Sequence, residues 1–300
     1  MIHAIQGIIP IVISFFVGIF IRKRRILKKE DGEKLLKIVF YFTLPASIFL
    51  SVSQVEISPE LFFLPVIAMI TFFTITGISF LVFKSYKSSP EKFGVAIIGS
   101  IIMNTAFVYP FIAAGFGTSG FAKAVFFDFG NASLTLSVAY WIACKYGLEK
   151  AKNIHVLKKV LMSPPLWALV IGLLVNVFNI HYPYIIEQSF QFIGKITFPL
   201  IMISLGIIFS LHFTSLKLLI QVLGLRFLGG FTIGYLAVTI LGINGETRAI
   251  VLICCSAPVA MNTLIFSSLA ELDTELAANL VSFGIGLGMI ITSVMIFLFG

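Results

Sequence analysis

Leu61 to Phe83 reads LFFLPVIAMITFFTITGISFLVF, twenty-three residues without a charge. A helix needs about 20 apolar residues to cross a hydrocarbon layer of about 30 Å, so this stretch is long enough to span by itself. Comparable runs lie on both sides of it. Ile5–Ile21 and Leu35–Val52 precede it, and Phe93–Phe116 and Phe121–Cys144 follow. After a charged stretch from Lys145 to Lys159 come five more: Leu166–Ile180, Phe190–Leu211, Leu216–Leu241, Ala249–Ala270 and Leu276–Phe299. The runs are continuous and do not alternate in the way barrel strands do. Across 300 residues, 59% are hydrophobic and 11% charged, whereas about a quarter of a soluble domain is charged. The mean hydropathy is +1.07. These values exclude a soluble globular domain and leave no room for an extramembrane enzyme domain. The expectation is an all-α membrane protein of ten transmembrane helices.

The net charge of +8 would point a soluble protein toward nucleic acid, but here the basic residues sit in alternate loops. Counted outside the apolar runs, 17 Lys and Arg fall on one side of the membrane and 2 on the other. The positive-inside rule then makes the loop from Arg22 to Lys37 cytoplasmic and both termini external, in a multi-pass protein of the cell membrane. The first run has no basic region before it and is followed directly by Arg22-Lys23-Arg24-Arg25, the reverse of a cleavable signal, so it is read as a retained helix. Cys144, Cys254 and Cys255 lack metal-ligand spacing and read as packing residues, with no metal or cofactor implied.

Five runs on each side of the charged linker make two halves, 1–144 and 164–300, joined by 145–163. Because five is odd, the second half enters the membrane from the opposite side, and any repeat between them is inverted. Thr43-Leu44-Pro45 recurs as Thr197-Phe198-Pro199, and Asp128-Phe129-Gly130 as Ser282-Phe283-Gly284, both at an offset of 154. Inverted repeats of this kind build secondary transporters.

Pro45, Pro110, Pro199 and Pro258 lie mid-run. Each removes a helical hydrogen bond and costs about 3 kcal/mol unless neighbours satisfy the freed carbonyl. Those in the fourth and ninth runs have amides and hydroxyls beside them: Asn104, Thr105 and Tyr109 before Pro110, and Ser256, Asn262 and Thr263 around Pro258. Two antiparallel helices broken near the midplane direct two half-helix N-termini at one spot, which makes an anion site. The plainer reading is that the prolines only kink packed helices.

These residues resemble the auxin efflux carrier family, which includes plant auxin exporters and bacterial permeases for malate and malonate. The resemblance spans the chain and rests on Leu44-Pro45-Ala46-Ser47-Ile48-Phe49, on Asn104-Thr105 followed by Pro110, Gly115 and Gly117, on Asp128-x-Gly130-Asn131, and on Ala257-Pro258-Val259-Ala260-x-Asn262-Thr263. It implies a 5+5 inverted repeat with a scaffold part and a transport part. It also implies an X-shaped crossing of the fourth and ninth helices at Pro110 and Pro258, with substrate bound beside that crossing.

Three charged residues lie deep within apolar runs, away from their ends: Asp128, Lys195 and Arg226. A charge at mid-bilayer costs about 2.5–3.5 kcal/mol on insertion scales, so each needs a partner or a watery cavity. Asp128, with Asn131 three positions on along the same helix face, is a candidate for binding a proton or a sodium ion in exchange with substrate; a structural ion pair with Lys195 or Arg226 is the alternative. Lys195, one turn before Pro199, is read either as an anion-binding residue or as the counter-ion of Asp128. Arg226 reads as structural. Gly230-x-x-x-Gly234 and the glycines at 284, 286 and 288 read as sites of close helix packing.

The sequence therefore points to a secondary transporter of a small organic anion such as a carboxylate, working by alternating access. It has no Walker motif, so an ion or substrate gradient must drive it. A cation antiporter of similar architecture is the runner-up. A membrane-embedded enzyme is disfavoured because no helix carries His-Glu-x-x-His or Gly-x-Ser-x-Gly. Whether the chain forms a homodimer is left open.

Overall fold

The computed structural model describes residues 2–87, 89–148, 162–210 and 216–300. Within the linker read over 145–163, residues 149–161 lie outside the described residues. Eleven helices are described: α1 (Ile2–Lys23), α2 (Lys29–Gln54), α3 (Pro59–Val82), α4 (Pro90–Ile101), α5 (Thr105–Tyr146), α6 (Pro164–Val177), α7 (Tyr184–Ile208), α8 (Leu216–Ile240), α9 (Gly245–Cys255), α10 (Met261–Leu269) and α11 (Thr274–Phe299). Among the described residues the remainder is a 3₁₀ turn at Lys84–Tyr86, connecting turns and one isolated antiparallel bridge, between Met103 and Val259.

Seven helices, α1, α2, α3, α5, α7, α8 and α11, are long and apolar enough to cross a membrane. This accounts for the ten apolar runs in a specific way. The fourth run is divided between α4 and the start of α5, and the ninth between α9 and α10, so neither forms one long helix. The sixth run gives the 14-residue α6, shorter than a full span. At 42 residues α5 would extend about 63 Å if straight, but Gly117 at φ 64° and ψ −156° interrupts it and begins its second part.

Serine followed by proline opens α3, α4 and α6 at Ser58-Pro59, Ser89-Pro90 and Ser163-Pro164. There the missing proline N–H has no intrahelical partner to lose. Mid-run prolines are absorbed differently. Before Pro45 the helix widens into a π-turn over Val39–Thr43, with the Leu44 N–H reaching back to Val39, so α2 remains continuous and is not broken at Pro45. In α7 the interruption is a single turn residue, Ile196, and Pro199 is the third residue of the segment that restarts at Thr197.

The helices gather into two bundles. In one, α1 lies along the Thr197–Ile208 part of α7, and the Leu44–Gln54 part of α2 lies along α6. Backbones touch where α1 meets α7: a Cβ on Gly18 would collide with the Ile203 carbonyl, and one on Gly206 with that of Phe15. Arg22 fastens the same pair by donating to the carbonyls of Ile207, Ile208 and Phe209 at 3.0, 3.1 and 2.8 Å, a cation at the negative end of a helix. In the other bundle α3 packs on α5, α9 on α8 and α5, and α11 on α10, α4 and α5.

Candidate functional site

Between the two bundles lies a cavity of about 1080 Å³, the size of a small-ligand site with water in it. Its mouth is lined by Lys29, Glu33 and Lys37 of α2, Ser163 before α6 and Thr274 of α11. The wall supplied by α2, α6 and α7 is apolar, with Leu44, Ile48, Leu169, Ile201 and Leu205. The opposite wall is made by the two helix interruptions: Met103 to Ala106 on one side and Ala260 to Asn262 on the other, with Tyr109, Asp128 and Asn131 beside them.

The unwound residues are held by a small set of hydrogen bonds. Between α4 and α5 the chain leaves helical geometry at Ile102 and re-enters it after Asn104, whose side chain caps α5 by accepting from the Phe107 N–H at 3.2 Å. The Asn104 N–H donates to the Pro258 carbonyl at 2.9 Å, which ties this break to the one between α9 and α10. Asn131 pairs with both backbone groups of Met103: its Nδ2 donates to the carbonyl at 3.0 Å and its Oδ1 accepts from the N–H at 3.4 Å. Satisfying these groups internally is what allows unwound backbone at membrane depth.

The break therefore sits at Ile102–Asn104 and not at Pro110. Pro110 is buried six residues into α5, inside the helix. The carbonyl it orphans is that of Ala106, in the first turn facing the cavity. In the second half the unwound stretch is Ser256 to Ala260 and does contain Pro258. It is longer by two residues. Ile101 and Cys255, which end α4 and α9, are 154 positions apart, whereas Thr105 and Met261, which start the next helices, are 156 apart. No single offset could align both sides of the breaks.

Asp128 is half-buried at the cavity wall and accepts three hydrogen bonds. Thr105 Oγ1 and Asn131 Nδ2 donate to its Oδ1, the latter at 2.9 Å, and Tyr109 Oη donates to its Oδ2 at 2.9 Å. The ion pairs among the described residues are Lys34–Asp31 and Lys123–Glu246, so neither Lys195 nor Arg226 is the counter-ion of Asp128. Lys195 is exposed where the first segment of α7 ends, away from the cavity lining.

Of the sequence-derived candidates, Asn104, Thr105, Tyr109, Asp128, Asn131 and Asn262 come together on the cavity wall. Pro110, Ser256, Pro258 and Thr263 lie behind it, buried. Arg226 is fully buried and supports both breaks from the rear, donating from Nη1 to the carbonyls of Ser100 and Ile101 at 2.8 and 3.3 Å and from Nη2 to that of Cys255. The sequence reading of Arg226 as structural fits this arrangement, but the backbone groups it holds were not named. The available signal was a lone arginine four residues before Gly230, where a Cβ would meet both the Cys255 carbonyl and the guanidinium.

A family model described as "Membrane transport protein" matches residues 3–296. The chain belongs to this family. Its members include the auxin efflux carriers that the sequence resembles. An uncharacterized transporter of Methanocaldococcus jannaschii is 28% identical over 282 residues, covering 91% of both chains. An uncharacterized transporter of Methanothermobacter thermautotrophicus is 25% identical over 279 residues, again covering 91% of each. This membrane transport protein is thus a multi-pass, all-helical chain whose two helix interruptions line a cavity between two bundles.

Proposed function

We propose that this protein is a secondary transporter of a small organic anion such as a carboxylate, coupled to an ion through Asp128. In this reading ten spans form two inverted sets of five, over 1–144 and 164–300. The fourth span is α4 with the start of α5, the ninth is α9 with α10, and the two cross at their breaks. The bundle holding the breaks shifts against the bundle of α1, α2, α6 and α7 to give alternating access, and the cell membrane is where it acts, with both termini external.

One observation carries the reading. The first turns of α5 and α10, both N-terminal helix ends, line the same cavity wall as Asp128, a carboxylate with no ion pair among the described residues. First-turn amides have no intrahelical acceptors and carry the positive end of the helix dipole, so the wall favours an anion. An ionised Asp128 opposes it. Neutralising Asp128 removes that opposition, so ion and anion bind together, and each shifts the conformational equilibrium only through its differential affinity for the two states. Asn104 and Asn262 supply the polar contacts and the apolar wall receives the rest of the substrate.

Purified protein in proteoliposomes tests this directly, with short carboxylates and aromatic acids offered under imposed ion gradients. Gradient-driven uptake should be abolished by Asp128→Asn and weakened several-fold or more by Asn262→Ala. Uptake that Asp128→Asn leaves with the same ion dependence removes Asp128 from the mechanism. A second reading, a cation antiporter with Asp128 as its carrier site, is favoured by the absence of any ion pair to Asp128 among the described residues. Ion exchange without an organic anion distinguishes it.

A further inference from the structure

The donors around Asp128 identify the coupling ion. Asn131 cannot turn its amide, because Met103 presents a carbonyl to Nδ2 and an N–H to Oδ1. Reversing the amide would set donor against donor and acceptor against acceptor. The Thr135 hydroxyl holds the same orientation by donating to Oδ1 at 3.5 Å. Asn131 therefore offers Asp128 an N–H and not an oxygen.

That Nδ2 sits 2.9 Å from Asp128 Oδ1 and 3.0 Å from the Met103 carbonyl, filling the gap that a metal ion shared by these two oxygens would occupy. Two nearby acceptors are already engaged. The Pro258 carbonyl is taken by the Asn104 N–H, and Asn104 Oδ1 by the Phe107 N–H. The buried Asn104 Nδ2, which has no hydrogen-bond partner among the described residues, is another donor. A hard cation is held by several oxygen lone pairs at once; the Thr105 and Tyr109 hydroxyls beside Asp128 and the Ala106 carbonyl on the same wall have oxygens to offer, but the Asn131 N–H occupies the position between Asp128 Oδ1 and the Met103 carbonyl.

A proton has no such requirement. Only an O–H bond to the carboxylate forms, and Tyr109 Oη at 2.9 Å can rotate its hydrogen away and accept from a protonated Oδ2. We infer that the ion neutralising Asp128 is a proton and that the fixed amide of Asn131 excludes sodium from the site. The inference rests on the carrier reading in taking Asp128 as the coupling group.

Few other groups share the titration. Tyr109 and Cys254 of α9 are the titratable side chains close to Asp128. Across the cavity α2 presents Lys29, Glu33, Lys37 and Tyr41. The stretches of α1 from Gln6 to Ile21 and of α7 from Thr197 to Ile208 carry none, nor do α6 and α10. The ionisable residues of α3, α4 and α11 (Glu60, Glu91, Lys92 and Glu275) lie in their opening turns. Lys123 of α5 is paired with Glu246 of α9, Arg248 lies in the opening turns of α9, and Cys255 faces Thr71.

Two measurements on the purified full chain, neither containing an organic anion, test this. In the first, sodium chloride replaces choline chloride at constant ionic strength and the thermal midpoint is followed; the expected result is no shift. A sodium-dependent rise that Asp128→Asn abolishes overturns the inference. In the second, infrared difference spectra between mildly acidic and mildly alkaline buffer should contain a carboxylic C=O band that Asp128→Asn removes. Should that variant not fold, Tyr109→Phe replaces it, and the band should move in frequency because its hydrogen-bond partner is gone. A carboxyl band unaffected by the folded variant overturns the inference. Failure here leaves organic-anion transport standing, and failure to transport any anion leaves these results standing.

Discussion

Arg226 Nη2 donates to the carbonyl of Cys255, the last residue of α9, while its Nη1 serves Ser100 and Ile101 at the end of α4. One guanidinium therefore caps the negative ends of two half-length helices at once. The planar fork suits this, because its donors diverge in fixed directions. Leaving buried carbonyls without a donor typically costs about 1–3 kcal/mol each. Arg226→Met should lower stability by an amount of that order, read as a fall in the thermal midpoint in detergent. Arg226→Lys, which keeps the charge but cannot reach three carbonyls, should fall between Met and wild type. A Met variant as stable as wild type would show that these carbonyls find other partners.

Asn131 acts on the other side of the same break. Truncating it to alanine removes the donor and the acceptor that hold Met103, together with one of the three hydrogen bonds to Asp128. Buried groups left unsatisfied cost about 1–3 kcal/mol each, so Asn131→Ala should destabilise by roughly 2 kcal/mol. Asp128→Asn conserves size and should leave the thermal midpoint close to wild type. Denaturation of the two variants side by side separates a residue that builds the site from one that uses it. Equal losses in both would place Asp128 in the scaffold as well.

Glycines at helix contacts give a graded test of packing. Gly206 has no room for a Cβ because the Phe15 carbonyl lies against it, whereas nothing lies within 4 Å of a Cβ on Gly77 in α3. Gly206→Ala should force α1 and α7 apart and cost about 1–3 kcal/mol. Gly77→Ala should be neutral or stabilising by up to about 1 kcal/mol, since alanine is the better helix former. Thermal midpoints of the pair check the assignment, and a stable Gly206→Ala protein would contradict the close approach.

Membrane residence and helical class were legible because continuous apolar runs such as Leu61–Phe83 admit one solution in lipid. The partners of the site were partly legible: amides and hydroxyls near mid-run prolines marked Asn104, Thr105, Tyr109 and Asn262, which do line the cavity. What the prolines misplaced was the fourth-run break. Local chemistry puts a helix fault at Pro110, but Asn131, 28 positions from Met103, pairs with it and fixes the unwinding upstream. The partners of Arg226 were opaque for the same reason, as these carbonyls belong to two other helices.

The cavity follows α5 from Val125 to Leu136 and stops short of Phe121. There an aromatic chain closes it. Tyr109, which holds Asp128, meets Phe121 edge-on at 5.1 Å, and Phe121 meets Phe198 of α7 edge-on at 5.2 Å. Phe121 and Phe198 belong to different bundles, so separating the bundles must part these rings. Edge-to-face pairs are worth about 0.5–1.5 kcal/mol beyond their buried area, enough to bias a two-state equilibrium without locking it. Phe198→Ala should therefore populate a form open on the side away from Lys29. Asn262→Cys provides the reporter, since Cys144, Cys254 and Cys255 are all buried. In sealed vesicles of known orientation, a membrane-impermeant maleimide should label it only from the cavity-mouth side when Phe198 is intact. With Phe198→Ala, labelling from the opposite side should rise several-fold, and Phe198→Leu should restore much of the one-sidedness. Unchanged sidedness in the alanine variant would mean that other contacts close that end.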